Sequence, residues 1–400
     1  MPTAPSTLGI LPNLTAIQRQ NGRVVLERRF LSGVAEYQKH WNGPIRAILE
    51  PVPESELETN LDRTLAGDNV EVDPKTLPFE LAIHDFHSPE ARRALQGCGV
   101  ALGGLQYRQV HLSQWARQDG VPFAYTSEYT LETRIQIIRA NGGSPLRLAR
   151  RIAWEINQER LNRRAVGISD GIQCNGTPTF DAYRGISRSP LLYFDSRITQ
   201  EQLITTAALE RRLEGLQSGR PLRLCFAGRI NKMKGADQLV EVGRILTEMD
   251  LPFELHLFGG GVLAEVVRNQ IAALGIGPAV RLMGHVPFAE LLPQLQANYD
   301  LYLCCHPQGD PAMAYLEMMS NGLPIVGYAN EALAGILERT PVGTSVPLHD
   351  NEGLARVIRQ LSDERGPLLE WSRTALAFAK EHTFDLTFRR RIEHLAALGS

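Results

Sequence analysis

The chain has 400 residues, 43% hydrophobic and 22% charged, with a formal net charge of −2. That length suggests two domains of ordinary size, each able to bury a core, and the composition is that of a soluble globular chain. The near-zero charge argues against a dedicated nucleic-acid binder, which needs a strong basic excess. No stretch approaches the ~18 apolar residues of a membrane-spanning helix. The start, MPTAPSTLGILPN, has neither a basic segment nor a long apolar run, so no secretory leader is expected. The cysteines Cys98, Cys174, Cys225, Cys304 and Cys305 lack metal-ligand spacing. Cys225 and the 304–305 pair lie in apolar strand patterns and read as small core residues of a reduced, cytoplasmic protein.

In chain order, the N-terminal half offers candidate strands at 7–11, 45–49, 79–84, 100–105, 122–127 and 165–169. Helical periods fit 24–41, 89–97, 130–140 and 145–164. Alternation of this kind indicates βαβ units around a parallel sheet, a Rossmann-like domain. The segment IHDFHSP sets His84, Asp85 and His87 at the end of a strand, where they either line a cleft or serve the structure. The period 145–164 carries Arg147, Arg150, Arg151, Arg160, Arg163 and Arg164 against Glu155 and Glu159. Such a run is either a solvated face or a peripheral contact for anionic lipid or a phosphate-bearing acceptor. A helix over 199–219 ends at Ser218–Gly219, which puts the domain boundary near 198–221.

The C-terminal half is more regular. Strands at 223–227, 253–258, 280–283, 300–304 and 323–328 alternate with helices at 235–249, 262–274, 288–297, 312–321 and 352–362. The strand from Arg223 ends at Gly228, and the following loop carries Arg229 and Lys234 before a helix opens at Gly235. The chain's basic residues are nearly all arginine, yet Lys232 and Lys234 both fall in this loop. A compact ammonium is common at phosphate sites. The strand DLYLCC leads through a loop to a helix with one acid, Glu317, before LPIVGY. Both sets of polar groups stand where the C-terminal end of a strand hands over to a helix, the place where open α/β sheets bind ligands. Cations at one such end and a carboxylate at the other suit a nucleotide diphosphate. Gly259–Gly261 ends another strand, either as a plain turn or as a place of close backbone approach.

The pattern G-R-x4-K-G, followed downstream by a loop, an acid and S-N-G-L-P-I, resembles the donor half of a retaining glycosyltransferase of the GT-B fold. Family 4 is the closest type, and the resemblance covers roughly 221–362. It implies two Rossmann-like domains facing a cleft. Residues 1–198 would form the acceptor side, 199–383 the nucleotide-sugar domain, and 384–400 a terminal helix crossing back to the first domain. Gly228, Arg229 and Lys234 would hold the donor diphosphate and meet the charge that grows on it as the glycosidic bond breaks. Glu317 would accept hydrogen bonds from ribose hydroxyls, and the N–H groups of Ala312 and Met313 would meet phosphate at a helix start. The turn MGHVPF would set the backbone of Gly284 and Val286 beside the nucleobase. Asn21–Gly22–Arg23 resembles the family's glycine loop over the donor phosphates, unless it is an ordinary turn. Glu128 stands where the family often presents a histidine near the sugar.

One element departs from the pattern. The family usually has two glutamates separated by seven residues, and counting back from Glu317 lands on Gly309. Asp310, one place later, is either a helix N-cap preceding Pro311 or a shorter carboxylate reaching the donor sugar. The resemblance implies a metal-independent transfer, with retention, from a UDP- or GDP-linked sugar to a glycan, lipid-linked or small-molecule acceptor. It implies no cofactor and no nucleic-acid partner. The alternatives are a nucleotide-sugar epimerase or inverting GT-B transferase, and a degenerate GT-B subunit without catalysis.

Overall fold

The computed structural model describes residues 6–52, 69–140, 142–309, 311 and 313–399. Its strands form two sheets. The first contains β1 (Leu8–Leu11), β2 (Thr15–Gln18), β3 (Val24–Glu27), β4 (Ile45–Pro51), β5 (Asn69–Val72), β6 (Glu80–Ile83), β7 (Val100–Gly104), β8 (Phe123–Ser127), β9 (Gly171–Asn175) and β10 (Pro190–Tyr193). The second contains β11 (Leu222–Ala227), β12 (Phe253–Phe258), β13 (Val280–Gly284), β14 (Leu301–Cys304), β15 (Ile325–Tyr328) and β16 (Gly343–Val346).

The second sheet runs β13-β12-β11-β14-β15-β16 with every neighbouring pair parallel. The order reverses between β11 and β14, as in doubly wound nucleotide-binding sheets. Its central strand buries Leu222, Leu224, Cys225 and Phe226, which use both faces. A parallel strand covered by helices on both sides requires that near-continuous apolar run. The parallel part of the first sheet runs β10-β9-β8-β7-β1-β4, with β6 also paired to β4, and reverses between β1 and β7. Beyond it, β2 pairs parallel with the end of β4, then antiparallel with β3, which pairs antiparallel with β5.

Helix Gly366–Glu381 buries Leu368, Ala375, Leu376 and Ala379 in the core of the second domain. The next helix, Phe384–Leu398, puts Phe388, Ile392 and Leu395 among Tyr37, Val100 and Leu102 of the first. The chain therefore crosses back at His382–Thr383. Arg391 fastens that helix: its Nε donates to Gln173 Oε1 at 2.8 Å, and its guanidinium lies 4.3 Å over the Tyr193 ring. The five cysteines are free and buried, as their apolar settings suggest.

Several local expectations need correction. Residues 24–27 are the strand β3 rather than the start of a helix, which opens only at Arg28. Gly22, at φ +79°, is thus the tip of the β2–β3 hairpin and not the mouth of a helix. The N-G pair with valines after it is a hairpin signal, and it outweighs the helical period here. Residues 165–168 belong to the helix Pro145–Ile168, and the expected strand is β9, at Gly171–Asn175. Short apolar runs do not separate a buried helix face from a buried strand. The helix expected over 199–219 is a single turn, Gln200–Gln202, followed by Thr206–Gln217. The second begins where Thr205 Oγ1 accepts from the N–H of Ala208 at 3.2 Å.

Candidate active site

The crevice lies outside the carboxyl ends of β11, β12 and β14, where the second sheet's order reverses. Three loops press together there, backbone against backbone. Gly235 has φ +65°, and a Cβ on it would fall 2.0 Å from the Cys305 carbonyl oxygen. Gly259 has φ +137°, and its Cβ would fall 1.8 Å from the Gly228 oxygen. Only glycine meets both demands. The loop after β11 is braced further by Asn231, whose Oδ1 accepts from the N–H of Lys234 at 3.0 Å.

The result is a cleft of about 520 Å³ that brings together Gly228, Arg229, Lys234, Val286, Met313 and Glu317. Six sequence candidates from three separate segments thus line one space. Gly284 sits just beside it at φ +77°, its carbonyl accepting from the Gly259 N–H at 2.7 Å. Asp310 and Ala312 lie outside the described residues. Helix Met313–Met319 carries Glu317 at 8% exposure. Burial pushes its carboxyl above the ordinary range, while the charge and hydrogen bond of Arg197 pull it back.

Arg197 is a site residue that the sequence reading missed. Its Nε stands 2.7 Å from Glu317 Oε1, and its guanidinium lies 4.0 Å over the Phe288 ring. It enters from the segment after β10, and nothing local in SRIT marks it. His306 was missed as well. It lines the cleft at 1% exposure, and neither ring nitrogen has a hydrogen-bond partner. Burial, then the neighbouring Lys234, hold the imidazole neutral well below its usual pKa.

Gly309, where the resemblance expects a glutamate, is packed against another acid. A Cβ there would fall 2.9 Å from both Cβ and Oε2 of Glu331. Glu331 comes from the start of helix Glu331–Leu337, and its Oε2 accepts from Thr130 Oγ1 of the first domain at 3.0 Å. Burial of its carboxyl end raises its pKa above the usual carboxylate range. The carboxylate therefore reaches this spot from a different element, between the two domains.

Two candidates lie elsewhere. Gly22 is at its hairpin tip and does not line the cleft. Glu128 lines a separate cavity of about 680 Å³ in the first domain. His87 stacks on His111 at 4.2 Å, and Asp85 caps the His87 N–H and pairs with Arg108, so IHDFHSP forms a structural cluster. On helix Pro145–Ile168 the six arginines are exposed, while Glu155 and Glu159 turn inward to Arg134 at 2.8 and 2.7 Å. Among the described residues no helix is long and apolar enough to cross a membrane.

Anabaena HepE, solved in complex with UDP, matches this architecture with a TM-score of 0.63, over 98% of this chain and 99% of its own, at 13% identity. The fold is GT-B. Residues 211–377, the heart of the second GT-B domain, match the family described as Glycosyl transferases group 1. Amylovoran biosynthesis glycosyltransferase AmsK of Erwinia amylovora is 26% identical over 203 residues, 46% of this chain and 50% of its own. D-inositol 3-phosphate glycosyltransferase 1 of Catenulispora acidiphila is 29% identical over 185 residues, 44% of this chain and 43% of its own. The chain spans about half the length of the curated relatives it matches.

Proposed function

We propose that this protein is a glycosyltransferase that moves a sugar from a UDP- or GDP-linked donor to an acceptor hydroxyl, with retention and without a metal. The observation that carries the reading is the convergence of Arg229, Lys234 and Glu317 in one cleft at the reversal point of the second sheet. The match of residues 211–377 to Glycosyl transferases group 1 supports it.

In this reading Arg229 and Lys234 face the diphosphate. Their charge stabilises the transition state more than the ground state, because the leaving group gains charge as the bond to the anomeric carbon breaks. Glu317, oriented by Arg197, accepts from the ribose hydroxyls. Retention, which the resemblance implies, places the acceptor oxygen on the face that the diphosphate leaves. The new bond forms there, and the hydroxyl proton passes to the departing diphosphate oxygen.

The test joins calorimetry to product analysis. UDP or GDP should bind the protein, and its sugar should be transferred in EDTA with the anomeric coupling constant of the donor kept in the product. Absence of binding by either nucleotide, or a product of opposite configuration, would overturn the corresponding part of the proposal.

A further inference from the structure

The first sheet also reverses its order, between β1 and β7, and a cavity larger than the nucleotide cleft opens there. Its wall includes Leu11–Leu14 after β1, Leu105–Tyr107 after β7 and Ser127–Tyr129 after β8. The same rule that locates the nucleotide cleft in the second sheet locates a second ligand site here. A volume of about 680 Å³ lies within the usual range for small-molecule sites. Given the glycosyltransferase reading, on which this inference rests, the occupant is the acceptor. Thr130, next to the wall residue Tyr129, bonds Glu331 of the other domain, which sets this wall beside the domain junction.

The wall says what kind of acceptor fits. At its rim Tyr107 is 53% and Trp154 49% exposed, and their rings meet edge to face at 5.7 Å. Large aromatic faces left open to solvent beside a cavity mark a binding surface. The flat, C–H-rich face of a pyranose suits such rings. The charged side chains of the wall are Glu27, Glu128, Glu155, Arg134 and Arg391.

Both cations are already engaged. Arg134 donates to Glu155, Glu159 and the Tyr129 carbonyl at 2.8, 2.7 and 3.0 Å. Arg391 donates to Gln173 and to the Tyr37 hydroxyl at 2.8 and 3.1 Å, under the ring of Tyr193. Arg134 is neutralised by two carboxylates and Arg391 is buried against aromatic rings, while three carboxylates line the wall, which makes the cavity hostile to a phosphate. Carboxylates and amides are, on the other hand, good partners for sugar hydroxyls. Asn13, Gln106 and Asn162 add such amides.

We infer that the acceptor is a non-anionic saccharide, seated at the reversal point of the first sheet with a sugar ring against Trp154 and Tyr107. The same wall, with more carboxylates than cations, should make phosphorylated sugars and prenyl phosphates poor acceptors.

The experiment uses the full chain and the nucleotide sugar it accepts. Nucleotide release is followed with neutral disaccharides (maltose, cellobiose, lactose), with glucose 1-phosphate and glucose 6-phosphate, and with a short prenyl phosphate. At least one neutral saccharide should accelerate release, and the phosphorylated probes should not. Trp154→Ala should raise the KM for that saccharide by about tenfold or more, while Trp154→Phe, which keeps an aromatic face, should stay within about threefold. Calorimetric nucleotide affinity and melting temperature should hold in both variants, which separates acceptor loss from misfolding. Acceleration by phosphorylated probes alone, no acceleration by any neutral saccharide, or an unchanged KM in both Trp154→Ala and Tyr107→Ala would overturn the inference. Failure of the wild type to bind any nucleotide would instead bring down the glycosyltransferase reading itself.

Discussion

Replacing Glu317 by Gln separates what this carboxylate does for binding from what it does for folding. The side chain is 8% exposed and reaches Arg197 at 2.7 Å, yet its carboxyl is still raised by burial. The folded protein therefore pays more to bury this charge than Arg197 returns. Gln keeps the shape and removes the charge, and the Arg197 side chain, 52% exposed, can rehydrate. The net change in stability should stay within about 1 kcal/mol, a shift of no more than about 4 °C for a domain of this size. Binding should respond differently. A hydrogen bond to an ionised acceptor contributes about 1.5–3 kcal/mol, so Kd for the nucleoside diphosphate should rise roughly 10- to 150-fold.

The pH dependence gives a second readout. Because the folded carboxyl holds its proton more tightly than the unfolded one, this group favours the folded state at low pH. That contribution is lost as pH rises from the ordinary value through the raised one. Nucleotide affinity should run the other way, weakening as pH falls through the same interval, and Glu317→Gln should lack both dependences. Titration calorimetry across pH, beside melting curves, measures each. An unchanged Kd with a lowered melting temperature would assign Glu317 to the helix and refute the reasoning.

Three further outcomes follow from the geometry. Arg229→Ala and Lys234→Ala should each lower kcat/KM by about 2–4 kcal/mol in barrier with the fold intact, and near-normal kinetics in both would remove them from the diphosphate. Gly235→Ala should abolish nucleotide binding more completely than either, since its Cβ would fall 2.0 Å from the Cys305 carbonyl and its φ is +65°; calorimetry beside a far-UV spectrum checks this. Leu395→Ala, at 0% exposure in the first domain's core, should cost about 2–5 kcal/mol. Denaturant unfolding with probes in each domain should show that loss in the first domain, and a loss confined to the second would contradict the crossing of the terminal helix.

The donor half was largely legible because its information is local. Strands β11, β14 and β15 are largely buried apolar runs, the loops after β11 and β14 carry their polar residues within a few positions of one another, and the spacing of G-R-x4-K-G survives as geometry. Gly228, Arg229, Lys234 and Glu317 could be named before their cleft was known. The first domain was harder to read. Four-residue strands such as β2, β5 and β10 contain too few alternations to stand out, and the hairpin at Gly22 displaced a helical period by pairing β3 with β5, far along the chain.

What the sequence determined by itself was the alternation of strands and helices and the chemistry at their ends. Only the tertiary structure decided which ends meet. Arg197 reaches Glu317 from the distant segment after β10, Glu331 packs against Gly309 and bonds Thr130 of the other domain, and Glu128 faces the first domain's cavity instead of the nucleotide cleft. Each of these contacts joins residues distant in the chain. A periodicity reports which face of an element is buried, and it is silent on what that face is buried against. The order of strands in the two sheets supplies that missing information, and with it the position of both cavities.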